Sequence, residues 1–175
     1  MIIDLFTYLF RFILIVLFQL LVINNIELST YINPYIYIVF ILTLPVDMKP
    51  WLVVLISFFT GMVMDTFSST PGLHMASCVF MGYVRIFYLR FATSKEDFSG
   101  SIKPTVSRKG VVWFLVYATM LTFLHHLVLF YLEIYGFNEF FRTLTRIIFS
   151  TVFSVLLITV GQLLFYRVAK VNRNE

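Results

Sequence analysis

Leu5 to Ile23 is an almost unbroken apolar run whose only charged residue is Arg11. About 20 such residues cross the hydrocarbon core as a helix. The run exceeds a signal-peptide core and no A-x-A-like site follows it, so it is expected to stay as a first spanning helix. Comparable runs recur along the chain. They make 60% of the 175 residues hydrophobic, against 13% charged. A soluble domain is about 45–50% apolar and about 25% charged, and a small one buries too little surface to hide such an excess. The chain reads as an integral membrane protein.

Spanning helices are expected at about residues 5–23, 31–44, 50–64, 71–91, 111–132 and 144–166. This is an all-α, polytopic six-helix transmembrane bundle, one domain covering 1–175. The second helix stops at Pro45 and the third starts at Pro50. Both are short for a full span, so tilt, offset in depth or less regular turns are expected there. Lys and Arg gather on the cytoplasmic side of a membrane. Here Arg90, Lys95, Lys103, Arg108 and Lys109 follow the fourth helix, Arg167, Lys170 and Arg173 follow the sixth, and Lys49 lies between the second and third. The connections NNIELSTYIN and DTFSSTP contain none. Six crossings with both termini cytoplasmic fit this alternation, leaving only Arg142 and Arg146 outside. Five crossings, with the second and third helices as a re-entrant pair, would place the long basic loop outside or flip an end. That loop, 92–110, is rich in Ser, Gly, Lys and Pro and is expected to be a mobile cytoplasmic connection.

The net charge of +4 is thus a matter of membrane orientation, since the dense basic face of a nucleic-acid binder is missing. Cys78 is the only cysteine, so neither an intrachain disulfide nor a CxxC metal spacing exists, and redox compartment stays open.

The candidate chemistry centres on GMVMDTFSSTPGLHMAS, Gly61 to Ser77. Asp65 is expected to end the third helix, Thr70 to cap the fourth with Pro71 in its first turn, and His74 to follow. Asp65 and His74 near the membrane surface read first as a structural hydrogen bond or cap for this turn. Partner or ligand contact, and base-and-orienter chemistry, are the competing readings. Ser68, Ser69 and Ser77 could supply a nucleophile, but no G-x-S-x-G elbow holds them. Gly61, the Gly72/Ala76 pair and the Cys78/Gly82 pair point to close packing of the third and fourth helices. Arg85, three turns beyond His74, is expected to snorkel to the cytoplasmic headgroups, and Arg11 to be a similar interface residue. Gln19 and Gln162 are suited to bonds between helices. His125 and His126 diverge by about 100° on a helix and cannot chelate one ion. One is expected to bond inside the bundle and the other to reach an interface, with Glu133 two turns beyond. H-E-x-x-H, a P-loop, GxGxxG and an intramembrane proteolytic pair are all missing, so the expectation is a protein that is not an enzyme and needs no cofactor or metal. The segment EIYGFNEFFRTLTR reads as an amphipathic lead into the last helix, with Asn138 as cap. Phe137, Phe140, Phe141 and Leu144 form its apolar face, with Arg142 and Arg146 one turn apart. It serves as an interface anchor or as an outer docking surface.

These motifs occur in an order that resembles the bacterial rod-shape-determining MreD family. The pattern is Pro34-Tyr35, Ile41–Pro45, Gly61 with Asp65, Gly72 with His74, then Arg85. The resemblance covers essentially the whole chain and implies a non-catalytic subunit of the cytoplasmic (inner) membrane. It implies binding to an MreC-like bitopic protein, within the complex of MreB, a RodA-type polymerase and a class B penicillin-binding protein that directs lateral peptidoglycan synthesis. It also implies a fold like the six-helix substrate-binding components of energy-coupling-factor vitamin transporters. Pro45, Gly61, Asp65, Gly72, His74 and Arg85 are then structural or partner-binding residues. Because of that fold, the competing function is a small-molecule-binding subunit of a transporter, with Asp65 or His74 facing an outer cavity.

Overall fold

The computed structural model describes residues 2–26, 32–94, 102–134 and 139–171, with side chains from Phe6 to Leu164. Its described residues form helices without strands. The helices are α1 (Ile2–Leu21), α2 (Ile38–Leu42), α3 (Pro50–Ser68), α4 (Leu73–Ala92), α5 (Val106–Lys109), α6 (Val111–Ile134) and α7 (Phe140–Val171), with a 3-10 turn at Ile23–Asn25. Among the described residues five stretches are long and apolar enough to cross a membrane: Phe6–Asn25, Pro50–Ser68, Leu73–Ala92, Val111–Ile134 and Phe140–Leu164. In sequence order α3 packs on α4, α4 on α6, and α6 on α7, while α1 touches the rest mainly through α2 and the segment around it.

The largest difference from the sequence reading is the second element. A helix at 31–44 is expected, but only Ile38–Leu42 is helical. Asn33 and Pro34 explain the start: the residue before a proline is pushed out of the helical region. Pro45 explains the end. The segment is nonetheless the most buried part of the chain, with Tyr37, Ile38, Ile41 and Leu42 fully enclosed. It runs antiparallel to α1, with Gln19 against Pro34 and Arg11 against Thr43. It runs parallel to α4, with Tyr37 beside His74 and Leu44 beside Arg85.

Two glycines set the α3–α4 contact. A Cβ on Gly61 would lie 2.6 Å from the His74 carbonyl oxygen and collide with Met75 Cα. A Cβ on Gly82 would collide with the Ser57 side chain. The first obstacle is backbone and cannot yield; the second is a small side chain. Gly61→Ala is therefore expected to destabilise by about 1–3 kcal/mol, the cost of overpacking, and Gly82→Ala by less, as reversible unfolding in detergent would measure. Gly72 does something else. Nothing crowds its Cα, but its φ of 88° is open to glycine at little cost.

Within 92–110, the connection expected to be mobile, residues 102–110 pack on the bundle. Ile102 carbonyl accepts from Val46 N at 3.0 Å, Val106 is buried in α5, and Lys103 lies over the Tyr8 ring. The expected amphipathic lead is also not a separate element: from Phe140 it is the continuous first turn of α7.

Candidate functional site

Polar groups inside the bundle converge on residues 32–46. Extended backbone offers N–H and C=O groups with no intrahelical partner, and hydrocarbon cannot satisfy them. Such a segment persists at membrane depth only when protein encloses it. Here side chains from four helices do so. Ser150 Oγ of α7 accepts from Asn33 N at 3.0 Å and Ser154 Oγ from Tyr35 N at 2.9 Å. Gln19 of α1 uses both ends of its amide. Oε1 accepts from Ile36 N at 2.6 Å and from Tyr37 N at 3.3 Å, while Nε2 donates to the Pro34 carbonyl at 3.1 Å. Nε2 also donates to Asn24 Oδ1 at 2.8 Å, so Gln19 bonds to this backbone and to its own neighbour rather than to another long helix, and it is fully buried.

The far end of the segment is held by a cation. Arg85 is 1% exposed, which corrects the expectation that it snorkels to the headgroups. Its Nη2 donates to the Leu44 carbonyl and, at 3.5 Å, to that of Pro45; its Nε donates to Tyr117 Oη at 2.9 Å. Tyr117 in turn donates to the Leu42 carbonyl at 2.8 Å. These carbonyls close a five-residue helix, and the last carbonyls of any helix are both unsatisfied and partly negative. Arg11 adds a bond to Thr43 Oγ1 at 2.8 Å, so it too points inward.

At the other end, Tyr37 joins the histidines. Its Oη lies 2.8 Å from His74 Nδ1 and 2.8 Å from His125 Nε2, with Cys78 Sγ at 3.7 Å. The phenol has one proton, so it donates to one imidazole and accepts from the other. His126 forms a second chain. Its Nδ1 lies 2.7 Å from the Thr122 carbonyl, which fixes the proton on that nitrogen. Its Nε2 then faces the Ser154 hydroxyl at 3.4 Å. Both adjacent histidines are fully buried, on two faces of α6, so the expectation that one reaches an interface is corrected. Tyr35 sits edge-on to His74 with centroids 5.1 Å apart. Among the described residues no group of three or more His, Cys, Asp or Glu side chains is arranged to hold a metal ion.

Asp65 lies one layer further out. It sits in the last turn of α3, where its carbonyl accepts the Ser69 N–H that closes the helix, and it is 6% exposed. Its Oδ1 accepts from Thr70 Oγ1 at 3.1 Å and from His74 N at 2.9 Å. Its Oδ2 accepts from Gly72 N and Met75 N, both at 3.0 Å. The carboxylate of one helix thus caps the next, where three N–H groups and the positive end of the dipole favour an anion. This replaces the expected cap at Thr70: α4 begins at Leu73 after Gly72, and no side chain of the N-cap residue bonds to it. The turn is closed by Ser69 at φ 55°, a left-handed conformation in a residue other than glycine.

Of the residues singled out by the sequence, Gly61, Asp65, Gly72 and His74 meet at the α3–α4 turn, while Pro45 and Arg85 meet at the opposite end of the 32–46 segment. Asp65 and His74 meet through a backbone N–H, and the His74 ring turns to Tyr37. On the outer segment, Phe137 lies outside the described residues. Phe140 and Phe141 are exposed at 43% and 81%. Arg142 pairs with Glu139 at 3.1 Å. Arg146 turns toward α6, pairing with Glu133 at 2.9 Å and lying over the Phe130 ring, so it leaves the docking face to Phe140, Phe141 and Arg142. Comparison of the chain with family models, curated proteins and solved structures finds no match.

Tyr37, Ser150, Ser154 and Tyr117 have no motif of their own. The available signal is Asn33-Pro34, which marks a non-helical entry inside an apolar stretch and so demands side-chain partners elsewhere.

Proposed function

We propose that this protein is a non-catalytic scaffold subunit of the bacterial cell-elongation machinery, the role implied by its resemblance to the MreD family. One observation carries the reading. Asp65, Arg85, Gln19, Tyr37, His74 and Tyr117 inside the bundle are turned onto the chain's own backbone and onto one another. Ionisable groups within spans are functional candidates by default; here Asp65 and Arg85 hold backbone, which suits a rigid platform that partners bind from outside. The competing transporter-subunit reading needs Asp65 or His74 turned toward an outer cavity. Both are engaged within the fold, so the scaffold is preferred.

On this reading the 32–46 segment is the second of six crossings. It runs between the level of His74 and the level of Arg85, and gathers Lys49, Arg90, Arg108 and Lys109 at one end of the bundle, the cytoplasmic end by charge. Both termini then lie in the cytoplasm. The partner is an MreC-like bitopic protein, and with it MreB, a RodA-type polymerase and a class B penicillin-binding protein.

Depletion of the protein is expected to round rod-shaped cells, and affinity purification of the intact complex to recover an MreC-like partner. Normal shape after depletion, with no such partner recovered, would sink the proposal.

A further inference from the structure

One phenol of the bundle faces outward at a depth that water does not reach. Tyr83 lies near the middle of α4, about 15 Å from Leu73 and about 14 Å from Ala92 at helical rise. A helix of that length matches the hydrocarbon core, about 30 Å thick. Tyr83 is 55% exposed. Its ring packs edge-on against Phe87, with centroids 4.9 Å apart, and its hydroxyl makes no hydrogen bond among the described residues. Tyrosine in spanning helices favours the two interfaces, where the ring is in apolar surroundings and the hydroxyl is wet. From mid-depth the side chain is too short to reach either headgroup layer, and an unpaired hydroxyl in hydrocarbon is costly. Acyl chains offer it no acceptor.

Tyr83 belongs to a row. Ala76, Phe80, Tyr83, Phe87 and Arg90 are exposed on one side of α4, at alternating steps of four and three residues. Two spanning helices that meet on such a seam stay in contact along their length.

Symmetry selects the occupant. Two copies of one chain insert in the same orientation, so a closed pair has its two-fold axis along the membrane normal. Each seam residue then meets its own counterpart at its own depth. A phenol both donates and accepts, so one Tyr83 hydroxyl donates to the other. A different helix needs an acceptor placed at that level; a second copy carries one by construction. Ala76 lets the backbones approach toward the outer end, and Phe80 and Phe87 pack on their counterparts on either side of the tyrosines. The Arg90 pair has like charge. It stands in the last turn of α4, at the headgroup layer, where ions screen exposed charges, and each guanidinium leans over its own Phe87 ring at 5.8 Å.

We propose that this chain forms a two-fold dimer through the 76–90 face of α4, closed at mid-membrane by a hydrogen bond between the two Tyr83 hydroxyls. The face lies outside the network around 32–46, and the dimer needs no elongation partner, so it stands or falls apart from the scaffold reading.

The test uses the purified full chain, labelled with donor or acceptor dye at its amino terminus and diluted in phospholipid vesicles. Energy transfer is expected to fall as lipid is added, which gives the dissociation constant of the dimer. Tyr83→Phe removes an oxygen that bonds nothing within the chain. The unfolding temperature is expected to stay at that of the parent, while the dissociation constant rises about three- to tenfold, the range for an interhelical hydrogen bond. In cell membranes under mild oxidation, Phe80→Cys and Phe87→Cys are expected to cross-link as dimers. The parent, whose Cys78 is buried, and Val152→Cys on α7 are expected not to. A parent that stays monomeric in vesicles overturns the proposal. So does a dimer indifferent to Tyr83→Phe, or cross-linking of Val152→Cys as strong as that of Phe80→Cys. An adduct of Phe80→Cys with a different protein in place of the dimer overturns it as well, and assigns the face to another helix.

Discussion

Arg85→Met is expected to lower the stability of the protein by about 3 kcal/mol, the sum of orphaned acceptors at about 1–3 kcal/mol each less the relief of a buried cation. Two effects oppose each other. Enclosing a guanidinium in hydrocarbon is costly, and an apolar residue of similar length removes that cost. Against this, the Leu44 carbonyl and the Tyr117 hydroxyl lose their donor, in a place water does not reach, and the Pro45 carbonyl is left with the Met48 N–H alone. The second effect wins because α2 is only five residues long and cannot re-form bonds by extending: Pro45 lacks an N–H and bars continuation. Arg85→Lys should fall between, since an ammonium reaches one carbonyl but not the fork that also holds Tyr117. The measurement is reversible unfolding in detergent, in a double-mutant cycle with Tyr117→Phe. A coupling well above 0.5 kcal/mol is expected for two groups in one network. Arg85→Met as stable as the parent would show that the clasp does not hold the segment.

The five long helices were legible because a membrane span is a matter of length and composition, which local sequence carries. The 32–46 segment was not. YIYIVFILTL is a short continuous apolar run, and periodicity alone cannot separate a buried strand from a buried helix there. Its conformation is decided by groups remote in sequence: Gln19, Arg85, Ser150 and Ser154. The same remoteness hid the role of Arg85. An arginine inside a span either reaches outward along its flexible stem or turns inward to acceptors, and that choice depends on where another element breaks. His125 and His126 diverge on α6 as their adjacency requires, but both faces of α6 are covered at that level, by Tyr37 on one side and Ser154 on the other. Asp65, Gly61 and Gly72 were nearer to legible because their partners lie just across one short helix–helix connection. Even so the sequence pointed to Thr70 as cap, since a local Thr-Pro start is a stronger pattern than a carboxylate reaching back from the preceding helix.

That carboxylate gives the second large effect. Asp65→Ala is expected to cost about 2 kcal/mol, the top of the range for the loss of a cap, because one side chain serves three N–H groups and a hydroxyl. The orphaned donors of Gly72, His74 and Met75 lie at the start of α4, against Gly61, and the His74 N–H is buried there, so water reaches that donor only if α3 and α4 separate. Asp65→Asn keeps one oxygen and presents an NH2 group to N–H donors on the other side, and is expected to lose more than half as much as alanine. Asp65→Glu keeps the charge but pushes both oxygens outward by one methylene and cannot hold both pairs of donors. Hydrogen exchange gives the local readout: the amides of Gly72, His74 and Met75 should exchange faster in Asp65→Ala, while those around Leu42 change less. Should His74 then lose its backbone anchor, its ring also loses register with Tyr37 and His125, and the loss spreads into the histidine cluster. Unchanged exchange at all three amides would mean that the turn is held by its backbone geometry, with the carboxylate a passenger. If instead exchange rises and partner recovery falls together, the turn is both the brace of the bundle and a support for the surface that its partners bind.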